Sequence, residues 1–142
     1  MPKAAIAGIA PFFIVKDVPA ALAFYRDRFG FDITFQSPSE GDIFFGIVER
    51  DAAMIMFKAT GVEPIPNYTR DIQQGIARWD AYLYVPDPDA LAAEFASRDV
   101  NFFLPIHNNG DGLRGFEVKD DDGYVLYFGA YSHRTMSLKD GS

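Results

Sequence analysis

The sequence predicts an α+β fold made of two tandem β-α-β-β-β modules that share one core. Three observations lead to this prediction: a repeat at half the chain length, the same order of elements in each half, and a hydrophobic content of 49%. With 142 residues, the chain has the length of one domain. One half alone would bury too small a core, so the two modules are expected to fold together.

The repeat is visible as identical residues at a constant separation. Val15 and Val85 are 70 positions apart, and the helix-start aspartates have the same separation. The identical pairs at this offset include Val15 and Val85, Asp17 and Asp87, Ala20 and Ala90, Ala23 and Ala93, and Arg28 and Arg98. Such a period indicates two copies of one structural unit.

The first module begins with a strand and a capped helix. Residues 12–15 are aromatic and β-branched, which favours a strand. Asp17 supplies a capping oxygen and Pro19 is typical of a helix start. Apolar residues at helical spacing predict a helix over residues 20–29, and Gly30 ends it.

Three further strands complete this module, which spans about residues 8–60. A strand is predicted over residues 31–35, followed by a hairpin that turns near Arg50 and Asp51. The two hairpin strands are residues 42–49 and 53–59.

The second module, about residues 77–131, repeats this order. A strand, a helix, a strand and a hairpin are predicted over residues 80–85, 89–98, 101–105, 115–119 and 124–130. Residues 60–76 contain Pro64 and Pro66 and are predicted to link the modules. Residues 132–142 read as a polar tail.

Charge and composition exclude several classes of function. The net charge of −7 disfavours nucleic acid and anionic membranes as partners and favours cationic small molecules. The absence of cysteine excludes disulfides, zinc ribbons, iron–sulfur clusters and thiol nucleophiles. No apolar run approaches the ~18 residues of a membrane span, so a cytoplasmic protein is expected.

Several segments resemble the vicinal oxygen chelate superfamily, also called the glyoxalase/bleomycin-resistance/dioxygenase group. They are residues 11–18 (PFFIVKDV), 24–25 (FY), 29–31 (FGF), 79–85 (WDAYLYV) and 115–123 (GFEVKDDDG). The last segment is similar to the family's Asp-Pro-Asp-Gly turn, with Asp121 in the place of proline. The resemblance implies that each module curls its mixed sheet into a cup. The chain looks most like the metal-free, bleomycin-resistance-type members.

Metal-using members of this family place ligands at four pseudo-symmetric strand positions. Mapped onto this chain, these positions are Ala10, Phe57, Asp80 and Tyr127. Only Asp80 is an ordinary ligand, and a divalent cation needs several donors. His107 is predicted to lie in a surface loop away from these strands. We therefore expect no metal and no other cofactor.

The expected ligand site follows from strand alternation. If Asp80 faces the cup, Tyr82 and Tyr84 do so too, while Ala81 and Leu83 pack on the helices. The same rule places Ala10, Phe12, Ile14, Ile55, Phe57, Val125 and Tyr127 on the lining. The predicted ligand-binding residues are Asp80, Tyr82, Tyr84, Tyr127, Phe12 and Phe57.

Each of these residues also has a purely structural interpretation. A strand tyrosine is as often part of a core as of a pocket lining. Asp80 either selects a cationic ligand or is paired with Arg78 or Arg114. These alternatives stay open at the level of the sequence.

Three functions remain, and the leading one is a binding protein. Similarity to bleomycin-resistance proteins implies a homodimer that sequesters a cationic or aromatic small molecule at its interface. In this hypothesis no residue is catalytic. The first alternative is a metal-dependent lyase, isomerase or extradiol dioxygenase, with Glu117 and His107 brought in by an unexpected register. The second is a metal-free enzyme in which Asp80 is the general base and a tyrosine the acid.

Overall fold

A computed structural model of the chain describes residues 2–70 and 79–131. The described elements are β1 (Phe12–Ile14), α1 (Val18–Phe29), β2 (Asp32–Ser37), β3 (Phe45–Arg50), β4 (Ala53–Lys58), α2 (Asn67–Arg70), β5 (Ala81–Tyr84), α3 (Pro88–Ser97), β6 (Phe102–Asn108), β7 (Leu113–Lys119) and β8 (Val125–Tyr131). None of the described helices has the length and apolar character needed to cross a bilayer.

The strands form two mixed sheets of four strands each. Their orders are β1-β4-β3-β2 and β5-β8-β7-β6, so the second sheet repeats the topology of the first. The first strand of each module pairs in parallel with the last, and the other pairs are antiparallel. The predicted α+β fold of two tandem β-α-β-β-β modules is confirmed.

The two long helices begin as the sequence predicts. The carboxylate of Asp17 accepts a 3.1 Å hydrogen bond from the Ala20 amide, and Asp87 accepts one of 3.0 Å from Ala90. Helix α1 ends at Gly30, whose φ of 72° lies in the left-handed region that favours glycine. Identical caps at equivalent positions give both modules the same helix start.

One core joins the two modules. Both helices cover the inner face of their own sheet, and the rings of Phe29 and Phe95 stack between the modules at 5.3 Å. At the edge of this contact, the guanidinium of Arg50 donates to both carboxylate oxygens of Glu94, at 2.9 and 2.7 Å. The opposite face of each sheet therefore points away from the shared core. We call these the open faces.

The separation between equivalent residues of the two modules increases by one residue at the hairpin turns. Glu49 faces Met54 across the first hairpin, whereas Lys119 faces Val125, so the second hairpin is one residue longer. As a result, Tyr82 pairs with Tyr127 but Phe12 pairs with Met56.

For two residues of β4, the predicted face of the strand was therefore wrong. Ile55 and Phe57 do not lie on the open face of the first sheet; both are buried in the helix-facing core. The ring of Phe57 lies 4.8 Å from that of Tyr25. The prediction assumed that equivalent residues are always 70 positions apart. It therefore assigned the inward-facing and outward-facing positions of β8 to the wrong residues of β4.

The predicted loop around His107 was also wrong. Strand β6 continues to Asn108, and His107 pairs with Gly115 of β7. Two register irregularities in this strand explain why its alternation is hard to read from the sequence. The predicted linker contains the short helix α2, while its residues 71–76, Arg78 and the tail at 132–142 lie outside the described residues.

Candidate ligand-binding face

The open face of the second sheet carries a cluster of four aromatic side chains, which we call the aromatic face. Trp79 stacks on Tyr127 with ring centroids 4.2 Å apart, and Tyr82 stacks on Tyr127 at 5.5 Å. Tyr84 meets Tyr82 edge-on at 5.8 Å. The cluster combines three phenols and one indole, so it offers both ring faces and hydrogen-bonding groups.

Strand alternation places these rings as the sequence predicts for β5. Tyr82 and Tyr84 are exposed, whereas Ala81 and Leu83 pack against the core from the other face. Tyr127 stands beside Tyr82 on the neighbouring strand because the two residues are direct register partners. Tyr82, Tyr84 and Tyr127 are therefore brought together.

Two glycines make room for the Tyr127 ring. Gly115 and Gly129 are partners across β7 and β8, and both lack the side chain that would fill this part of the face. A Cβ on Gly115 would meet the Tyr127 hydroxyl at 2.6 Å. A Cβ on Gly129 would meet the same ring edge. The phenol consequently lies flat across the glycine pair.

The hydroxyl of Tyr127 is buried and has no hydrogen-bond partner within residues 2–70 and 79–131. Among the described residues, it is the one buried side-chain polar atom that has no hydrogen bond, and the residue is 1% exposed. Burial, with nearby Tyr82 and Glu117, raises the pKa of Tyr127 above the usual value for tyrosine. The phenol therefore keeps its proton at neutral pH and retains an unused donor and acceptor.

Glu117 also lies on this face, although it is not among the predicted ligand-binding residues. Glu117 is the register partner of Tyr127, and it is only 5% exposed. The indole N–H of Trp79 donates a 2.9 Å hydrogen bond to its carboxylate. A detectable signal was present in the sequence, because Glu117 sits between the apolar Phe116 and Val118 in the middle of a strand.

Asp80 lies at the start of this face, and both of its carboxylate oxygens accept backbone hydrogen bonds. Oδ1 accepts from the amide of Asn67 and Oδ2 from that of Val125, each at 2.8 Å. Arg114, one of the two predicted ion-pair partners, instead binds Asp89 through two hydrogen bonds. Selection of a cationic ligand by Asp80 remains a prediction, and the observed bonds give this carboxylate a structural role.

The open face of the first sheet has a different chemistry. Phe12 is 51% exposed and lies 6.2 Å from Phe45, which in turn lies 6.0 Å from Phe35. Among the described residues, no ring contact joins this row of phenylalanines to the aromatic face, which lies on the other sheet. We call this row the phenylalanine face.

A cleft of 680 Å³ runs between the two modules along the free edge of β5. Its walls are mostly apolar and include Pro11, Ile55 and Leu83. Of its charged groups, Arg50 and Glu94 bind each other. The cleft shares Tyr82 and Tyr84 with the aromatic face, but Tyr127, with its buried hydroxyl, does not line it, so the aromatic face is the stronger candidate for recognition.

The four positions that hold metal in some relatives do not fit a metal here. With the corrected register they are Ala10, Met56, Asp80 and Tyr127. Three of these four residues are not ordinary metal ligands, and the oxygens of Asp80 are held by amides. This set supplies no basis for metal-dependent chemistry at the cup.

A second group of carboxylates lies at the turn between β7 and β8. Asp120, Asp121 and Asp122 bring oxygen atoms within 4.8 Å of one another. Oδ1 of Asp120 accepts from the amides of Asp122 and Tyr124, both at 2.9 Å. These bonds close the turn, and they account for the buried carboxylate without a ligand.

Comparisons with known proteins agree with this architecture. The bleomycin-binding protein from bleomycin-producing Streptomyces verticillus, solved in complex with copper(II)-bleomycin, is 28% identical, with a TM-score of 0.63 over 92% of this chain and 98% of that one. TioX from Micromonospora sp. ML1 is 18% identical, with a TM-score of 0.68 over 87% and 98% of the two chains.

A glyoxalase-related enzyme from Clostridium phytofermentans shares the same fold. It is 15% identical, with a TM-score of 0.69 over 90% of this chain and 97% of that one. No curated protein matches the sequence. The family model described as "Glyoxalase/Bleomycin resistance protein/Dioxygenase superfamily" matches residues 6–128, and the chain belongs to this superfamily.

Proposed function

We propose that this protein binds and sequesters a planar aromatic small molecule on its aromatic face. The observation that carries the proposal is the stacked group of Trp79, Tyr82 and Tyr127, with a buried hydroxyl that has no partner in the described part of the chain. Stacked rings bind a flat ligand through apolar contact, and the hydroxyl orients it. Similarity to the bleomycin-binding protein supports a natural product of this kind, and resistance to it, as the biological context.

The binding site is proposed to be completed by a second copy of the chain. The aromatic face and the phenylalanine face lie on different sheets, and exposed rings remain on both in a single chain. In a two-fold homodimer, the phenylalanine face of each chain covers the aromatic face of its partner. This pairing gives two equivalent cups and removes exposed rings from water.

Catalysis is not part of the proposal. The corrected metal positions carry one carboxylate that is already bound by amides. The enzymes among the similar structures are below 25% identity and share the fold alone.

A titration with copper(II)-bleomycin tests the proposal. Trp79 is the single tryptophan of the chain, so its fluorescence reports on the aromatic face without interference from other indoles. We expect a saturable change in emission that Tyr82→Ala weakens by roughly tenfold, since one stacking ring is lost. Val62→Ala removes an exposed apolar side chain outside both faces and serves as the control.

Two results would argue against this function. Equal weakening by Tyr82→Ala and by the control would move binding away from the aromatic face. Absence of any response to copper(II)-bleomycin and to a panel of flat aromatic compounds would reject small-molecule sequestration at this face.

A further inference from the structure

The two open faces differ at one pair of equivalent positions. In the second sheet Glu117 faces Tyr127, and in the first sheet Ile47 faces Met56. Each pair lies between the hairpin strands of its module, at the position that also meets the first strand. Since the apolar side chains of Ile47 and Met56 fill this place in the first module, the fold does not require a carboxylate and a phenol there.

Glu117 is unusual among the acidic groups of the described residues. It is 5% exposed, and no lysine or arginine of the described residues forms an ion pair with it. Its hydrogen bond within that part of the chain comes from a neutral donor, the indole of Trp79. A buried carboxylate is costly without a cation or several donors, so this group is poorly compensated.

A second polar group with unused hydrogen-bonding capacity lies on the same face. The Tyr127 hydroxyl has no partner among the described residues, and it lies over Gly115, on the same face and strand as Glu117. Two incompletely bonded polar groups thus share one apolar surface. Both can be satisfied by one ligand that carries a positive charge and more than one N–H.

Trp79 indicates the geometry of such a ligand. Its ring stacks on Tyr127 at 4.2 Å, with the planes 21° apart, while its N–H reaches Glu117. A planar aromatic group that carries an N–H donor on its edge makes the same two contacts. A cationic donor makes the stronger hydrogen bond to a carboxylate, so it competes favourably with the indole.

We propose that Glu117 is the specificity-determining residue of the aromatic face and selects planar aromatic cations, such as aryl amidines or aryl ammonium ions. Trp79 moves off Tyr127 and yields its N–H contact when the cation binds, and the uncovered ring and hydroxyl of Tyr127 then stack on the ligand and hydrogen-bond to it. This inference rests on the proposed binding function and adds the charge of the ligand to it. It assigns charge selection to Glu117, in place of Asp80.

Benzamidine and benzamide are suitable probes because they have nearly the same shape and differ in charge. Binding is measured by 1H–15N NMR on the full chain, from the backbone amide signals of Gly115 and Gly129. The single indole N–H signal reports on the bond between Trp79 and Glu117. We expect benzamidine to bind roughly tenfold or more tightly than benzamide and to shift the indole signal.

Three carboxylate variants identify the group that selects the cation. Glu117→Gln keeps the acceptor for Trp79 and is expected to abolish the preference for benzamidine. Asp80→Asn tests the competing residue on the same face. Glu40→Gln makes the same change of net charge at an exposed loop residue, and it is expected to leave the preference intact.

Trp79→Phe provides an independent variant that keeps an aromatic ring and removes the competing N–H. The preference for benzamidine over benzamide is expected to increase, because no indole N–H then competes with the ligand for the carboxylate of Glu117. The ratio of the two affinities is the readout, so a general loss of stacking does not affect the conclusion. A smaller ratio than in the wild type would contradict the proposal.

The remaining outcomes separate this inference from the proposed function. Equal binding of both probes to the wild type leaves a ligand-binding face but rejects selection by charge. A preference that survives Glu117→Gln and disappears in Asp80→Asn assigns selection to Asp80 and overturns the inference. If neither probe nor copper(II)-bleomycin binds, both the inference and the proposed function are rejected.

Discussion

The hydroxyl of Tyr25 donates a 2.7 Å hydrogen bond to the carboxylate of Asp120, 95 residues further along the chain. This bond joins helix α1 of the first module to the hairpin turn of the second, and both residues are buried. Tyr124, which follows the same turn, donates through its hydroxyl to the carbonyl oxygen of Ile14 at 2.6 Å. The two bonds fix the turn against the first module.

Stability is expected to depend on pH through Asp120. Burial raises the pKa of Asp120 from 3.8 to about 7, so the folded chain keeps this proton where the unfolded chain has released it. The resulting stabilisation is complete below about pH 4 and is lost as the pH rises towards 7. We expect the free energy of unfolding to fall by about 2 kcal/mol between pH ~5 and pH ~7.

Urea denaturation at the two pH values measures this change, and Asp120→Asn is the informative variant. The amide keeps the size of the side chain and its bonds to the turn but does not titrate. Burial also raises the pKa of Asp121, to about 6. In Asp120→Asn, the free energy of unfolding should therefore still fall with increasing pH, but by a smaller amount. An unchanged pH dependence in Asp120→Asn would mean that another group carries the effect.

Asp80→Asn is expected to destabilise the fold. The wild-type carboxylate accepts from the amides of Asn67 and Val125, and an asparagine side chain accepts through only one of its two positions. The other amide is left facing an N–H₂ group, at a cost of roughly 1–3 kcal/mol. Chemical denaturation measures the loss, with Asp42→Asn in an exposed turn as the control. Equal stabilities would show that the two bonds contribute nothing.

Gly115→Ala is expected to disturb both the aromatic face and the sheet beneath it. The new methyl group would lie 2.6 Å from the Tyr127 hydroxyl and would also meet the carbonyl oxygen of Phe128. Tyr127 must therefore shift, and we expect a loss of about 1–3 kcal/mol in stability, as for other overpacked sites. Gly110→Ala, where a Cβ meets no atom within 4 Å, should leave the melting temperature unchanged.

The shift of Tyr127 also has an optical consequence, since its ring stacks on the single tryptophan. Emission from Trp79 should change in Gly115→Ala and remain unchanged in Gly110→Ala. Identical spectra in the two variants would place the tyrosine ring elsewhere.

Phe12→Asp is expected to break the proposed homodimer without unfolding the chain. Phe12 is 51% exposed on the phenylalanine face, so a charge there is tolerated by a single chain but not by an apolar interface. Light scattering should give twice the chain mass of 15.8 kDa for the wild type and one chain mass for the variant. Val62→Asp, on an exposed loop residue, is the control. A wild-type mass of one chain would reject the dimer.

The sequence predicted the topology because local signals and the repeat agree. Both aspartate caps, the helix end at Gly30 and the alternation of β5 follow from residue types alone. The faces of β4 did not follow, because one additional residue in a turn reverses the direction of each later side chain relative to the repeat. His107 was misplaced because irregular pairing in β6 breaks the alternation.

The candidate site was predicted only in part, for a similar reason. The tyrosines were found by alternation, which depends on nearest neighbours along the strand. The contact of Trp79 with Glu117 joins residues that are 38 positions apart, so no local sequence pattern predicts it. The hydrogen-bond partners of Asp80 likewise come from two distant segments, so its structural role was visible only in three dimensions.

The position of the two open faces on different sheets of one chain has a consequence for measurements of affinity. If two chains are needed to complete a cup, ligand binding and chain association are thermodynamically linked. The apparent dissociation constant should then decrease as the protein concentration increases, until the dimer is fully formed. Saturating ligand should in turn shift the association equilibrium towards the dimer. Values obtained at nanomolar and at micromolar protein would therefore describe two different reactions.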